Sequence, residues 1–222
     1  MKPYALLLGT LSLSLTAFAP GDCLLTYQTR LDQLLPKATI EKIYGKSLST
    51  AKLEYRKSAK YPKYDSYQYS WPSDRTVTIK VGFGSGSVTA PDQNVIGLSW
   101  LDQFEANRYP DPLKRFRQFY RTPTEAEKKQ MAELLDKELA KRGHGTGDRK
   151  TGAAVGGTLA NNTVYEDVAG IGDAAAWQVT DKKLVVLKGR TTFQVHANVS
   201  ADKSINLSLA KKLAADVLAK CN

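Results

Sequence analysis

The sequence predicts an α+β fold, a mainly antiparallel sheet with flanking helices. Three observations carry that expectation. Stretches of strand-like alternation stand next to one another in the chain, which implies hairpins rather than crossover connections. Helical periodicity brackets them at both ends. The composition, 42% hydrophobic and 9% aromatic over 222 residues, suits a buried core and excludes a disordered tail. The length fits one ordinary domain.

Residues 1–21, MKPYALLLGTLSLSLTAFAPG, read as a signal peptide. Lys2 supplies the positive start, and Ala5 to Leu15 is an uncharged, largely apolar run. It is too short to span about 30 Å of hydrocarbon at about 1.5 Å per residue. Cleavage fits after Ala17-Phe18-Ala19 or after Ala19-Pro20-Gly21. No later segment is long and apolar enough for a transmembrane helix. The expected mature chain, 22–222, is a single exported domain, periplasmic or secreted. Cys23 lacks the preceding residues of a lipid-attachment site, since Pro20 and Asp22 stand there.

From Asp22 to Lys46 the spacing of Leu24, Tyr27, Leu31 and Leu34 is helical. Pro36 interrupts it, Ile40, Ile43 and Tyr44 continue it, and Gly45 is placed to end it. SYQYSW and TVTIKVGF predict a hairpin, 66–71 with 76–83, turning at Pro72-Ser73-Asp74 and ending at GFGSGS. Residues 92–142 read as helical, with one stripe at Leu98, Leu101 and Phe104 and another at Leu113, Phe116, Phe119 and Tyr120. Thr122-Pro123-Thr124-Glu125 predicts a helix start with Thr122 as N-cap. Met131, Leu134, Leu135 and Leu139 then form an apolar stripe. Residues 143–157 are glycine-rich and read as a flexible loop or internal linker. In the last third, KKLVVLKG and TTFQVHANV predict a hairpin turning at Lys188-Gly189-Arg190. Asp202 or Ser204 can cap a final helix whose buried face holds Ala210, Leu213, Ala214, Val217, Leu218 and Cys221.

The two cysteines stand at opposite ends of the mature chain. In an oxidising compartment Cys23 and Cys221 can pair in one way only. Such a bridge is worth on the order of 4–5 kcal/mol by loop closure. Two buried thiols are the alternative.

The chemistry that is missing narrows the function. Two cysteines and two histidines leave little material for a metal centre, and neither a metal nor a cofactor is expected. No GxSxG elbow, HExxH or phosphate loop occurs. Gly170-Ile171-Gly172-Asp173-Ala174-Ala175 resembles a dinucleotide fingerprint in letters alone, because a strand, not a helix, follows. His196 lies in a strand between Val195 and Ala197, where a packed or surface histidine is expected. The alternative to a binding protein is a hydrolase that folds Asp173 against His196.

Two segments are candidate binding surfaces. Tyr61, Tyr64, Tyr67 and Tyr69 are interleaved with lysines. Arg108, Arg115, Arg117 and Arg121 crowd a segment that also carries Tyr109, Phe116, Phe119 and Tyr120. The competing reading of the second is an amphipathic helix with its aromatics in the core. Without the leader the chain carries 31 basic against 22 acidic residues, or +9. Export turns that charge toward an anionic envelope component or an acidic protein rather than nucleic acid.

VAGIGDAAAWQ, a strand, LKG, a second strand and a helix ending AADVLAKC resemble the tail of a bacterial exported family of unknown function, mostly actinobacterial lipoproteins. Cys23, Gly45 and Tyr69-Ser70-Trp71 fall in the order that family shows, and the resemblance spans most of the mature chain. The absent lipid-attachment motif and the long helical middle depart from it. The resemblance implies a PsbP-like α/β/α sandwich, and it implies no catalytic residues.

Overall fold

The computed structural model describes residues 22–80, 87–148, 152 and 163–221. The leader, residues 82–86 of the expected glycine–serine turn and most of 149–157 lie outside the described residues.

The described strands are β1 (Lys52–Arg56), β2 (Ser66–Lys80), β3 (Ser87–Gln103), β4 (Tyr165–Asp167), β5 (Ala174–Gln178), β6 (Lys183–Lys188) and β7 (Thr191–Asn198). They form one antiparallel sheet in the order β1-β2-β3-β7-β6-β5-β4. Two meanders are thus joined side by side, with Val95 of β3 opposite Asn198 of β7 and Leu98 opposite Val195. Helices flank the sheet, as an α+β fold requires.

One face is covered by α1 (Asp22–Leu25), α2 (Leu31–Leu34), α3 (Lys37–Tyr44) and the C-terminal α6 (Lys203–Ala219). Leu24, Leu31, Leu34 and Ile40 meet Leu213 and Val217 there, over Leu184, Val186, Phe193 and Val195 of the sheet. Gly45 ends α3 at φ 75°, a left-handed conformation that a Cβ would strain. Asp202 caps α6 by accepting from the Ser204 N–H at 2.7 Å. Cys23 and Cys221 form a disulfide, with Cα atoms 5.9 Å apart across 198 residues of chain.

The opposite face is closed by α4 (Pro112–Phe119), whose Phe116 packs on Ala176, Val185 and Leu187. This explains why Leu184, Val185, Val186 and Leu187 form an unbroken apolar run rather than an alternating one. A strand covered on both sides has no solvent face to mark with polar residues, and all four are buried.

Four sequence expectations are corrected, the last of them at the start of the helix that follows residue 124. First, 92–103 is strand, not helix. Ile96 and Leu98 alternate into the core, then a bulge between Ser99 and Asp102 shifts the parity so that Leu101 also faces inward. That shift spaces the core residues like a helical stripe. Second, Pro72-Ser73-Asp74 is a bulge within β2, and both halves of β2 pair with β3. Third, the helix over 24–34 is two short pieces separated by the turn Thr26–Arg30.

Helix α5 (Glu125–Lys141) begins at Thr124, not Thr122. The Thr124 hydroxyl accepts from the Glu127 N–H while the Glu127 carboxylate accepts from the Thr124 N–H, a complete capping box. Thr122 instead clips β4, accepting from the Tyr165 N–H and donating to its carbonyl, both at 2.9 Å. No residue of α5 is buried, and Met131 and Leu134 are largely exposed.

Candidate binding surface

The two halves of the tyrosine-rich stretch have different fates. Tyr67 and Tyr69 lie on the helix-covered face of β2, 4% and 5% exposed, with their hydroxyls 2.8 Å apart. They cannot meet a partner from solvent. The strand alternation that marks SYQYSW as half-buried places these tyrosines on its inner side. Burial pushes the Tyr67 hydroxyl pKa up, as does its bond to Tyr69. Tyr55, packed edge-on against Tyr67 at 5.3 Å, accepts from the Leu31 N–H and donates to Asp32, tying α2 to the sheet.

Tyr61 and Tyr64 are outside, each 48% exposed. Tyr61 caps and Tyr64 ends a single 3-10 turn, Pro62–Tyr64, between β1 and β2. Asp65 anchors that turn. Its buried carboxylate accepts from the Ser58 N–H at 2.7 Å, and its carbonyl accepts from the Trp100 N–H at 3.2 Å. Trp100 sits on the β3 bulge at φ 55°, a conformation that costs a bulky side chain about 1–2 kcal/mol. Its ring nonetheless remains 37% exposed and meets Tyr64 edge-on at 4.8 Å, while Tyr64 meets Tyr61 at 5.9 Å. Three rings therefore stand together in solvent.

Lysines frame them. The ammonium groups of Lys60 and Lys63 lie over Tyr61 and Tyr64 at 5.1 and 5.4 Å, and Lys63 also reaches Asp102 at 3.4 Å. Lys57 lies over Tyr55 at 4.4 Å. Sequence reading singled out Tyr61 and Tyr64 but missed Trp100. The missed signal was Gly97-Leu98-Ser99-Trp100, where a bulge breaks the alternation.

The arginine segment divides as well. Arg121 is neutralised by Glu127 at 2.7 Å, and that contact, joined by hydrogen bonds from Thr124, lowers the Glu127 pKa to about 2. Arg115 lays its guanidinium over Phe119 at 3.5 Å and Tyr109 at 4.5 Å. Arg108 also lies over Tyr109, 5.3 Å from its ring, and Arg117 is exposed. Only Phe116 of the segment's aromatics is fully buried, and Phe119 is 48% exposed. Arg190, at the β6–β7 turn, holds the approach to α4 by donating to the carbonyls of Phe104, Glu105 and Tyr109.

The remaining polar groups are placed apart from one another. Asp173 receives the Gly189 N–H at 2.6 Å and Lys188 at 3.0 Å, at the β6–β7 turn. Gly172 beside it stands at φ 60°, where a Cβ would collide with the Leu187 carbonyl. His196 pairs in register with Lys183, four residues along β6 from Leu187, or roughly 13 Å. Asp173 and His196 are thus not brought together. His196 Nε2 instead lies 2.8 Å from the Ser99 hydroxyl. Desolvation, reinforced by the Lys183 charge, lowers its pKa to about 3, so it is neutral and a weak base.

The chain matches no protein-family model, no curated protein and no solved structure.

Proposed function

We propose that this is an exported, non-enzymatic binding protein of the bacterial cell envelope that holds an anionic polymer at the corner formed by Tyr61, Tyr64 and Trp100. The observation that carries this reading is Trp100. A left-handed backbone favours glycine or asparagine, yet the chain places a bulky apolar residue there and leaves more than a third of it exposed. Core packing does not require a tryptophan at that position. Exposed rings offer flat surfaces to the apolar faces of sugars, and Lys60, with Lys63 shared with Asp102, supplies charge for their carboxylates or phosphates. Arg108 and Arg117, both exposed, add basic character on the arginine segment.

Export is supported by the N-terminal leader pattern and by a disulfide that closes nearly the whole mature chain. Among the described residues no helix is long and apolar enough to cross a membrane.

Calorimetric titration of the mature protein with alginate, a carboxylated glycan, and with neutral dextran tests the reading. Alginate is expected to bind with an affinity that falls as salt rises, and dextran weakly. No saturable binding to alginate would refute this ligand class.

A further inference from the structure

A second surface lies near the middle of β3. Asn94, in its lining, is six residues or roughly 20 Å from Trp100. There a groove of about 650 Å³ opens between the end of α3 and the first half of α6. Ile43, Val199 and Leu209 form its apolar floor, and Ile205 stands in its lining with half its surface in water. Past Tyr44 the groove continues into a hollow of about 260 Å³ lined by Trp71, whose ring is 5.8 Å from that of Tyr44.

The charge is asymmetric. Lys46 and Lys212 both line the outer groove, both are exposed, and among the described residues neither has a carboxylate within ion-pair distance. The acid of the lining, Asp74, belongs to the inner hollow, which Lys46 also borders. Arg75, also inside, is committed to Asp92, Asn94 and Asn198. Ser200, Ser204 and Ser208 add hydroxyls to the outer wall. At about 30 Å³ per water-sized group, the outer groove has room for on the order of twenty heavy atoms.

We propose that this groove binds a single-chain amphiphilic anion, with its carboxylate or phosphate head between Lys46 and Lys212 and its chain along Ile43, Val199, Ile205 and Leu209. A cavity of this size with an apolar floor and a few convergent polar groups has the form of a small-ligand site. Lys46 rests over the Tyr44 ring at 5.7 Å, and two ammonium groups without a carboxylate partner select the sign of the head. The exposed Ile205 is the surface a chain would cover. The site is separate from the Trp100 corner and does not depend on the reading of that corner.

Calorimetry on the mature protein tests it, with dodecanoate, dodecyl phosphate, neutral dodecyl maltoside and inorganic phosphate, each amphiphile below its micelle threshold. Dodecanoate and dodecyl phosphate are expected to bind one to one. The double variant Lys46→Glu/Lys212→Glu, at two exposed positions, is expected to weaken both at least tenfold. Ile205→Asn is expected to weaken both about fivefold. A preference for dodecanoate over dodecyl phosphate, or the reverse, identifies the head group. The proposal is overturned if neither amphiphile binds or if charge reversal changes nothing. It is equally overturned if the maltoside binds as tightly as the anions or if inorganic phosphate matches dodecyl phosphate.

Discussion

Lowering the pH from 7 to 5 is expected to remove about 2 kcal/mol of folding stability through His196 alone. The imidazole lies between β3 and β6, bonded to Ser99 and facing Lys183, and its pKa in the folded chain is about 3 against an ordinary 6.5. A lowered histidine pKa means the folded state resists protonation while the unfolded state does not. Stability is therefore full above about pH 6.5 and falls with each step toward pH 3 by about 1.4 kcal/mol per unit. At pH 7 the penalty is about 0.2 kcal/mol and at pH 5 about 2. Asp92, Glu127 and Asp202 do not contribute to this window. Their pKa values are lowered on folding, so the stability they add is present above the ordinary carboxylate range and is lost only at lower pH. For Asp92, burial opposes the shift and hydrogen bonds from Lys182 and Arg75 outweigh it. Urea unfolding followed by tryptophan fluorescence at pH 7, 6 and 5 measures the effect in wild type and in His196→Gln. The variant is expected to lose less than about 0.5 kcal/mol over that range. Equal losses in the two proteins would refute the assignment.

Four further outcomes follow from particular contacts. Phe116→Ala removes the one fully buried ring that seats α4 and is expected to cost about 3–5 kcal/mol in urea unfolding, where a loss below about 1 would contradict that role. Cys23→Ser/Cys221→Ser opens a 198-residue closure and is expected to cost about 3–5 kcal/mol, with the same loss on reducing the wild type. Thr124→Ala deletes the α5 N-cap and is expected to lower helicity by circular dichroism at a cost of about 1 kcal/mol, with Thr122→Ala leaving helicity unchanged. Arg108→Glu/Arg117→Glu is expected to weaken alginate binding several-fold at low salt, whereas Tyr67→Phe, at an inaccessible hydroxyl, is expected to leave it unchanged.

The order of elements was legible wherever one periodicity held over a whole segment. The β6–β7 hairpin, α3 ending at Gly45 and α6 capped by Asp202 all stand where pattern and punctuation place them. The pattern failed where two local features combined. The bulge at Trp100 turned a strand alternation into the three-residue spacing of Leu98, Leu101 and Phe104, so a strand read as a helix. Pro72 marked a bend inside a long strand, and a bend and a hairpin carry the same residues. The site was half legible for the same reason. The alternation of Tyr67, Tyr69 and Trp71 already assigned them to one face of β2, and that face is the inner one. Tyr61 and Tyr64 lie before the strand begins and escape it. Trp100 comes from a strand 36 residues beyond Tyr64, and only folding brings the two rings together. The groove beside α6 was illegible, because Lys46, Trp71, Val199 and Lys212 share no local pattern and meet only across the end of the sheet.

Trp100→Gly separates binding from folding at the central corner. Glycine accepts φ 55° without strain, which offsets the lost Tyr64 contact, so unfolding free energy is expected to stay within about 1 kcal/mol of wild type. The variant's affinity for alginate, measured by titration at low salt, is expected to fall at least tenfold. Undiminished affinity in a stably folded Trp100→Gly protein would contradict the claim that this ring is displayed for binding.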